Sequence, residues 1–124
     1  MIAADTSSLV AYFNGETGPD VERITAAMTA GSLVLAPVVL TEILTDPASS
    51  SIIDLQIRNF TTLDIREGYW VRAGHARRVL RKHRIKAKVG DALIAQSCID
   101  HDVPLITRDR DFRHFAKHCG LKLS

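Results

Sequence analysis

Five carboxylates stand where a fold could gather them. Asp5 closes a short apolar segment, Ile2-Ala-Ala4, and Glu42 lies in the run VLTEIL. Asp91 opens the apolar helix of GDALIAQ, and Asp109 and Asp111 follow the apolar segment 104–106 in PLITRDRDF. Two carboxylates about 5 Å apart repel by about 3 kcal/mol at an effective dielectric near 20. Four cannot share one pocket ionised unless protons, cationic side chains or a metal ion compensate. Oxygen ligands without histidine or cysteine favour Mg²⁺ or Mn²⁺ over zinc. Each acid also has a plainer role open to it. Asp5 and Asp91 precede helical segments and could be caps. Glu42 could be a solvated helix residue, and Asp109 and Asp111 surface charges.

The elements that must position these acids follow from hydrophobic spacing. Ile2-Ala-Ala4 is expected as a first strand, with Thr6-Ser-Ser8 capping a helix over Leu9 to Phe13. Gly18-Pro19-Asp20 starts a second helix with Val21, Ile24, Ala27 and Met28 on one face. Leu33-Val-Leu35 is a buried strand. Pro37 suits a helical first turn, and that helix stops at Asp46-Pro47. Residues 49–58 are helical, and 61–65 form a third strand. A long helix runs from Glu67 to about Arg84, with Tyr69, Ala73, Ala76 and Leu80 facing the core. A basic connector leads to the Asp91 helix, which His101-Asp102 ends. Pro104-Leu-Ile106 is a fully apolar strand of the kind buried in parallel sheets. Phe112, Phe115 and Ala116 suggest a short helix, and Leu121 and Leu123 a last edge strand. Strands alternating with helices imply a three-layer α/β/α sandwich around a central, mainly parallel sheet. In that topology Asp5 and Asp109 leave the sheet at the same edge, where open α/β sheets bind ligands.

The 124 residues fit one domain, and 46% hydrophobic with 24% charged residues argues for a packed core. The net charge of +2 hides an uneven distribution: residues 66–88 hold nine of the sixteen Lys and Arg with a single acid, Glu67. Such a basic segment beside an acidic body suggests a polyanionic partner. The stretch 24–41 carries no charge, but Gly31-Ser32 and Pro37 break it, so no membrane span is expected. With an acid already at Asp5 no signal peptide is read, and Cys98 and Cys119 lack metal-ligand spacing, which together suggest a cytoplasmic protein with reduced thiols. No Ser-His or Cys-His arrangement stands out, and the five histidines read as structural or solvated.

These segments together resemble a PIN-domain ribonuclease, and specifically the VapC toxins of type II toxin–antitoxin systems. The likeness spans nearly the whole chain, as a single PIN domain over 1–124. It rests on Asp5-Thr6-Ser7, VLTEIL, GDALIAQ and PLITRDRDF. It implies that Asp5, Glu42, Asp91 and Asp109 bind one or two Mg²⁺ or Mn²⁺ ions, with Asp111 as a fifth member. Thr6 and Thr107 match the hydroxyl residues that orient these carboxylates. The activity implied is endonucleolytic cleavage of RNA by metal-activated water. The partners implied are an RNA substrate, a cognate antitoxin and a second copy in a homodimer. Arg78, Arg81, Lys82 and Lys88 would either contact RNA or form only the solvated face of a long helix and its exit, and Arg108 and Arg110 would contact RNA unless they pair with the neighbouring acids. The remaining readings are a PIN nuclease that processes RNA without an antitoxin, and a non-catalytic RNA- or protein-binding module of this fold. A haloacid-dehalogenase-type phosphatase would need an acid two residues after Asp5, where Ser7 stands.

Overall fold

The computed structural model describes residues 1–124. Three short strands, β1 (Ile2–Ala4), β2 (Leu33–Val34) and β3 (Leu105–Ile106), form a parallel sheet in the order β2-β1-β3. The register pairs Ala3 with both Val34 and Leu105, which places β1 at the centre. Ala3 and Ala4 are fully buried there, because helices cover both faces of the sheet. The result is the expected α/β/α sandwich.

Seven helices surround the sheet: α1 (Thr6–Phe13), α2 (Pro19–Thr29), α3 (Pro37–Thr45), α4 (Ser51–Arg58), α5 (Tyr69–Lys82), α6 (Val89–His101) and α7 (Phe112–Cys119). Helices α5, α6 and α7 pack on one another, while α1 rests on α2 and α3. The core joins Leu9, Ile24, Leu35, Val39, Ile57, Leu80, Ile94, Phe112 and Phe115. The uncharged stretch 24–41 divides among α2, β2 and α3, and no helix is long and apolar enough to cross a membrane.

Two expected strands shrink to single bridges. Leu35 pairs with Thr62, and Leu105 with Leu123, both parallel. Of residues 61–65 only Leu63 is buried, and its N–H donates to the Leu35 carbonyl. Leu121 is buried but Leu123 is 42% exposed, so a single apolar anchor holds each segment to the sheet edge. Helix boundaries differ more tellingly. Asp5 itself, not Thr6-Ser-Ser8, caps α1, its side chain accepting from the Ser8 N–H. The helix of Asp91 begins two residues earlier, at Val89, with Lys88 at the cap position and no side-chain cap. Asp91 is therefore no cap; it projects from the first turn.

Candidate active site

The carboxyl ends of β1 and β3 and the first turn of α6 meet at one place. One oxygen from each of Asp91, Asp109 and Asp111 lies within 4.8 Å of the other two. Asp91 and Asp109 are half-buried and Asp111 is exposed, so the group opens to solvent. Burial, then the Asp109 carboxylate, pushes the Asp91 carboxyl up to about 6, with Glu42 and Asp5 adding to the rise and Lys88 opposing it. Distant parts of the chain thus impose their charge on a single helix turn.

Asp5 is 2% exposed, and burial raises its pKa. Four donor contacts hold its ionised form. The Ser8 N–H donates to Oδ1 at 3.0 Å, Ser7 Oγ reaches both oxygens at 3.0 and 2.8 Å, and Thr107 Oγ1 donates to Oδ2 at 2.7 Å. Its role as helix cap and its place beside the acids are the same geometry: capping fixes one oxygen and Thr107 ties the other to the β3 loop.

Thr107 works in two directions. Besides donating to Asp5 it accepts from the Asp109 N–H at 2.9 Å, and Asp109 Oδ1 in turn accepts from the Asp111 N–H at 2.9 Å. One hydroxyl thus links Asp5 to the loop that presents Asp109 and Asp111. Thr107→Val keeps the shape and removes both bonds. It is expected to lower stability by about 1–3 kcal/mol through the orphaned Asp109 N–H. Thermal melts of the variant and the wild type check this.

Glu42 reaches the site from α3. Thr6 Oγ1 donates to its Oε1 at 2.6 Å, and its Oε2 would lie 3.1 Å from a Cβ added to Gly90. Glu42 and Asp5 stand outside the group of three but close enough to raise Asp91. Gly90 is a residue that sequence reasoning passed over: it is small because a carboxylate packs against the start of α6.

Two arginines have other partners than the sequence suggested. Arg108, flanked by Asp109 and Thr107, pairs with neither Asp109 nor Asp111 and is not free for RNA. Its Nε and Nη2 donate to Asp20 Oδ2 and Oδ1 at 2.7 and 3.1 Å, and it also meets Glu16 and the Thr17 carbonyl. Hydrogen bonding from this guanidinium holds the Asp20 carboxyl down at about 2. Gly18 beside the pair has φ +148°, and a Cβ there would sit 2.7 Å from Asp20 Oδ1. Arg72, one of the basic run, is likewise engaged, by Asp100 at 2.6 and 2.9 Å. Arg110 is exposed and makes no ion pair, and Arg78, Arg81, Lys82 and Lys88 are exposed.

The donor set is carboxylate oxygen throughout, partly open, and already strained by mutual repulsion. That chemistry fits a hard divalent cation such as Mg²⁺ or Mn²⁺, held by Asp91, Asp109 and Asp111 with Asp5 and Glu42 alongside.

A parallel sheet with acids converging at its carboxyl edge places the chain among the α/β proteins that bind ligands at that edge. The chain belongs to the PIN domain family, whose model matches residues 2–118. Among solved structures it is similar to a chain in VapBC2 from Rickettsia felis bound to a DNA fragment from its promoter. That match has 21% identity and a TM-score of 0.73, covering 100% of this chain and 98% of the other. It is also similar to a chain of FitAB bound to the IR36 DNA fragment, at 15% identity and a TM-score of 0.67, covering 100% and 94%. At these identities the likeness is one of fold. Comparison with curated proteins gives no match.

Proposed function

We propose that this chain is a divalent-metal-dependent endoribonuclease and the toxin of a VapBC-type toxin–antitoxin pair. One observation carries the nuclease reading: within a PIN fold, Asp91, Asp109 and Asp111 converge to within 4.8 Å and Asp91 is pushed up to about 6. The toxin reading takes its support from the similar folds in VapBC2 and FitAB.

The chain's own residues divide the work. Asp91, Asp109 and Asp111 form the open acidic face. Ser7, the Ser8 N–H and Thr107 orient Asp5 and oppose the rise that burial imposes on its pKa, and Thr6 fixes Glu42 against Gly90. A Mg²⁺ or Mn²⁺ ion bound there would acidify water and offset the charge that develops on the phosphate oxygens. The exposed cations at Arg78, Arg81, Lys82, Lys88 and Arg110 attract the RNA backbone. A cognate antitoxin and a second copy of the chain are the proposed protein partners, in the cytoplasm.

The test is cleavage of total and synthetic RNA by purified protein. Cleavage is expected with Mg²⁺ or Mn²⁺, lost with EDTA and restored by excess metal. RNA loss that EDTA and Asp109→Asn both leave unchanged would rule out the site. Protection of growing cells by the product of an adjacent gene, through a stable complex with this chain, would bear on the toxin assignment.

A further inference from the structure

Helices α5 and α6 leave a groove of about 660 Å³ on the molecule's surface. Trp70 and Leu93 form part of its apolar lining, and Arg77, Arg78, Arg81 and Lys82 supply four cations with no acid among the ten lining residues. A second hollow of about 510 Å³ shares Arg77 and Arg81 and continues to Lys88, again without an acid. Lys88 stands at the cap position of α6, directly before the first turn that carries Asp91. The two hollows therefore form one basic tract, which ends at the acidic site.

Trp70 is 65% exposed, unusual for the largest apolar side chain, yet it is not loose. Its ring stands edge-on to Tyr69, centroids 4.9 Å apart at 75°, and the buried Tyr69 hydroxyl donates to the Leu93 carbonyl at 2.7 Å. The indole is thus a braced platform at the mouth of a cationic groove. Val89 and Leu93 line the groove from the side of α6 turned away from Asp91, so a ligand passes round the start of α6 at Lys88 to reach the acids.

The geometry points to single-stranded RNA as the occupant: an unpaired base stacks on Trp70 while its backbone follows Arg78, Arg81 and Lys82 toward Lys88 and the acidic site. This rests on the nuclease reading above and names where the substrate lies. Charge selects the occupant. A second copy related by a two-fold axis would bring two sets of the same cations face to face, whereas a polyanion neutralises them. An aromatic face beside phosphate-binding cations is the arrangement that holds single strands, and a duplex offers it no free base. From Trp70 to Arg81 the helix rises about 16 Å, the length of a short run of nucleotides.

Trp70 is the only tryptophan, so its fluorescence reports on this position alone. The full chain in EDTA, where cleavage is silent, is titrated with a single-stranded 12-nucleotide RNA of mixed sequence. Saturable quenching is expected, with affinity falling steeply as salt rises. Trp70→Ala should weaken binding by roughly 10-fold or more, measured by polarisation of labelled RNA. Arg78→Gln with Lys82→Gln should flatten the salt dependence. RNA bound without quenching, equal affinity in Trp70→Ala, or no binding at all would overturn the groove. So would equal quenching by duplex RNA or by polyglutamate. Emission that shifts with protein concentration alone would give the groove to a second copy. Failure of the nuclease reading looks different: RNA quenches Trp70 in EDTA, yet no cleavage follows when Mg²⁺ is added.

Discussion

Asp91→Asn is expected to reduce RNA cleavage by at least about 100-fold while making the metal-free protein more stable. The stability effect follows from the sign of the pKa shift. In the fold the Asp91 carboxyl titrates at about 6, above its ordinary value near 3.8. The folded state therefore holds this proton more tightly than the unfolded chain. Its destabilising effect is absent below about pH 4, where both states are protonated, and grows as pH rises to about 6. Above that it is constant, on the order of 1–3 kcal/mol. Urea unfolding in EDTA should show Asp91→Asn more stable than wild type at pH 8 and equal to it near pH 3.5. Added Mg²⁺ should reverse the order at pH 8. A variant that is less stable than wild type at pH 8 in EDTA would contradict the account.

Arg108→Ala is expected to act in the opposite direction. It leaves Asp20, itself only 6% exposed, without the exposed guanidinium that pairs with it, which lowers stability at neutral pH. The melting temperature should fall by several degrees. The pH dependence again has a fixed sign. Asp20 titrates at about 2 in the fold, below its ordinary 3.8, so the pair's contribution is complete above about pH 4 and is lost as pH falls toward 2. The gap between wild type and Arg108→Ala should therefore narrow over that window. Because Arg108 sits between Thr107 and Asp109, cleavage should fall as well, through a loosened loop. Thermal melts from pH 7 to pH 2 decide the matter, and a melting temperature unchanged at pH 7 would show that the pair contributes nothing.

The two predictions also mark what was legible in the sequence. Apolar segments ending in acids, at Ala4-Asp5 and Ile106-Thr107-Arg-Asp109, declared the parallel sheet and its carboxyl edge, because a buried strand needs an unbroken apolar run and an acid can only sit where it ends. The helical spacing of Tyr69, Ala73, Ala76 and Leu80 was equally plain, and all four are buried. Strand lengths were not legible at 61–65, where β-branched residues suggest a strand but only Leu63 finds a core to enter. The partner of Arg108 lies 88 residues away at Asp20, and that of Arg72 lies 28 away at Asp100. Local charge interleaving pointed instead to Asp109 and Asp111, since nothing in a linear pattern encodes a long-range pair. The exposed indole of Trp70 was hidden for the same reason: the sequence gives an aromatic at a helix start, and only packing on Tyr69 shows which way it faces.

Calorimetric titration of the metal-free protein with Mn²⁺ at pH 6, in two buffers of different ionisation enthalpy, addresses the convergence of the acids most directly. Saturable binding is expected with net release of protons, since Asp91 is about half protonated at that pH, and both binding and release should be lost in Asp91→Asn and Asp109→Asn. Binding of equal strength in those variants, or no saturable binding by the wild type, would contradict the account.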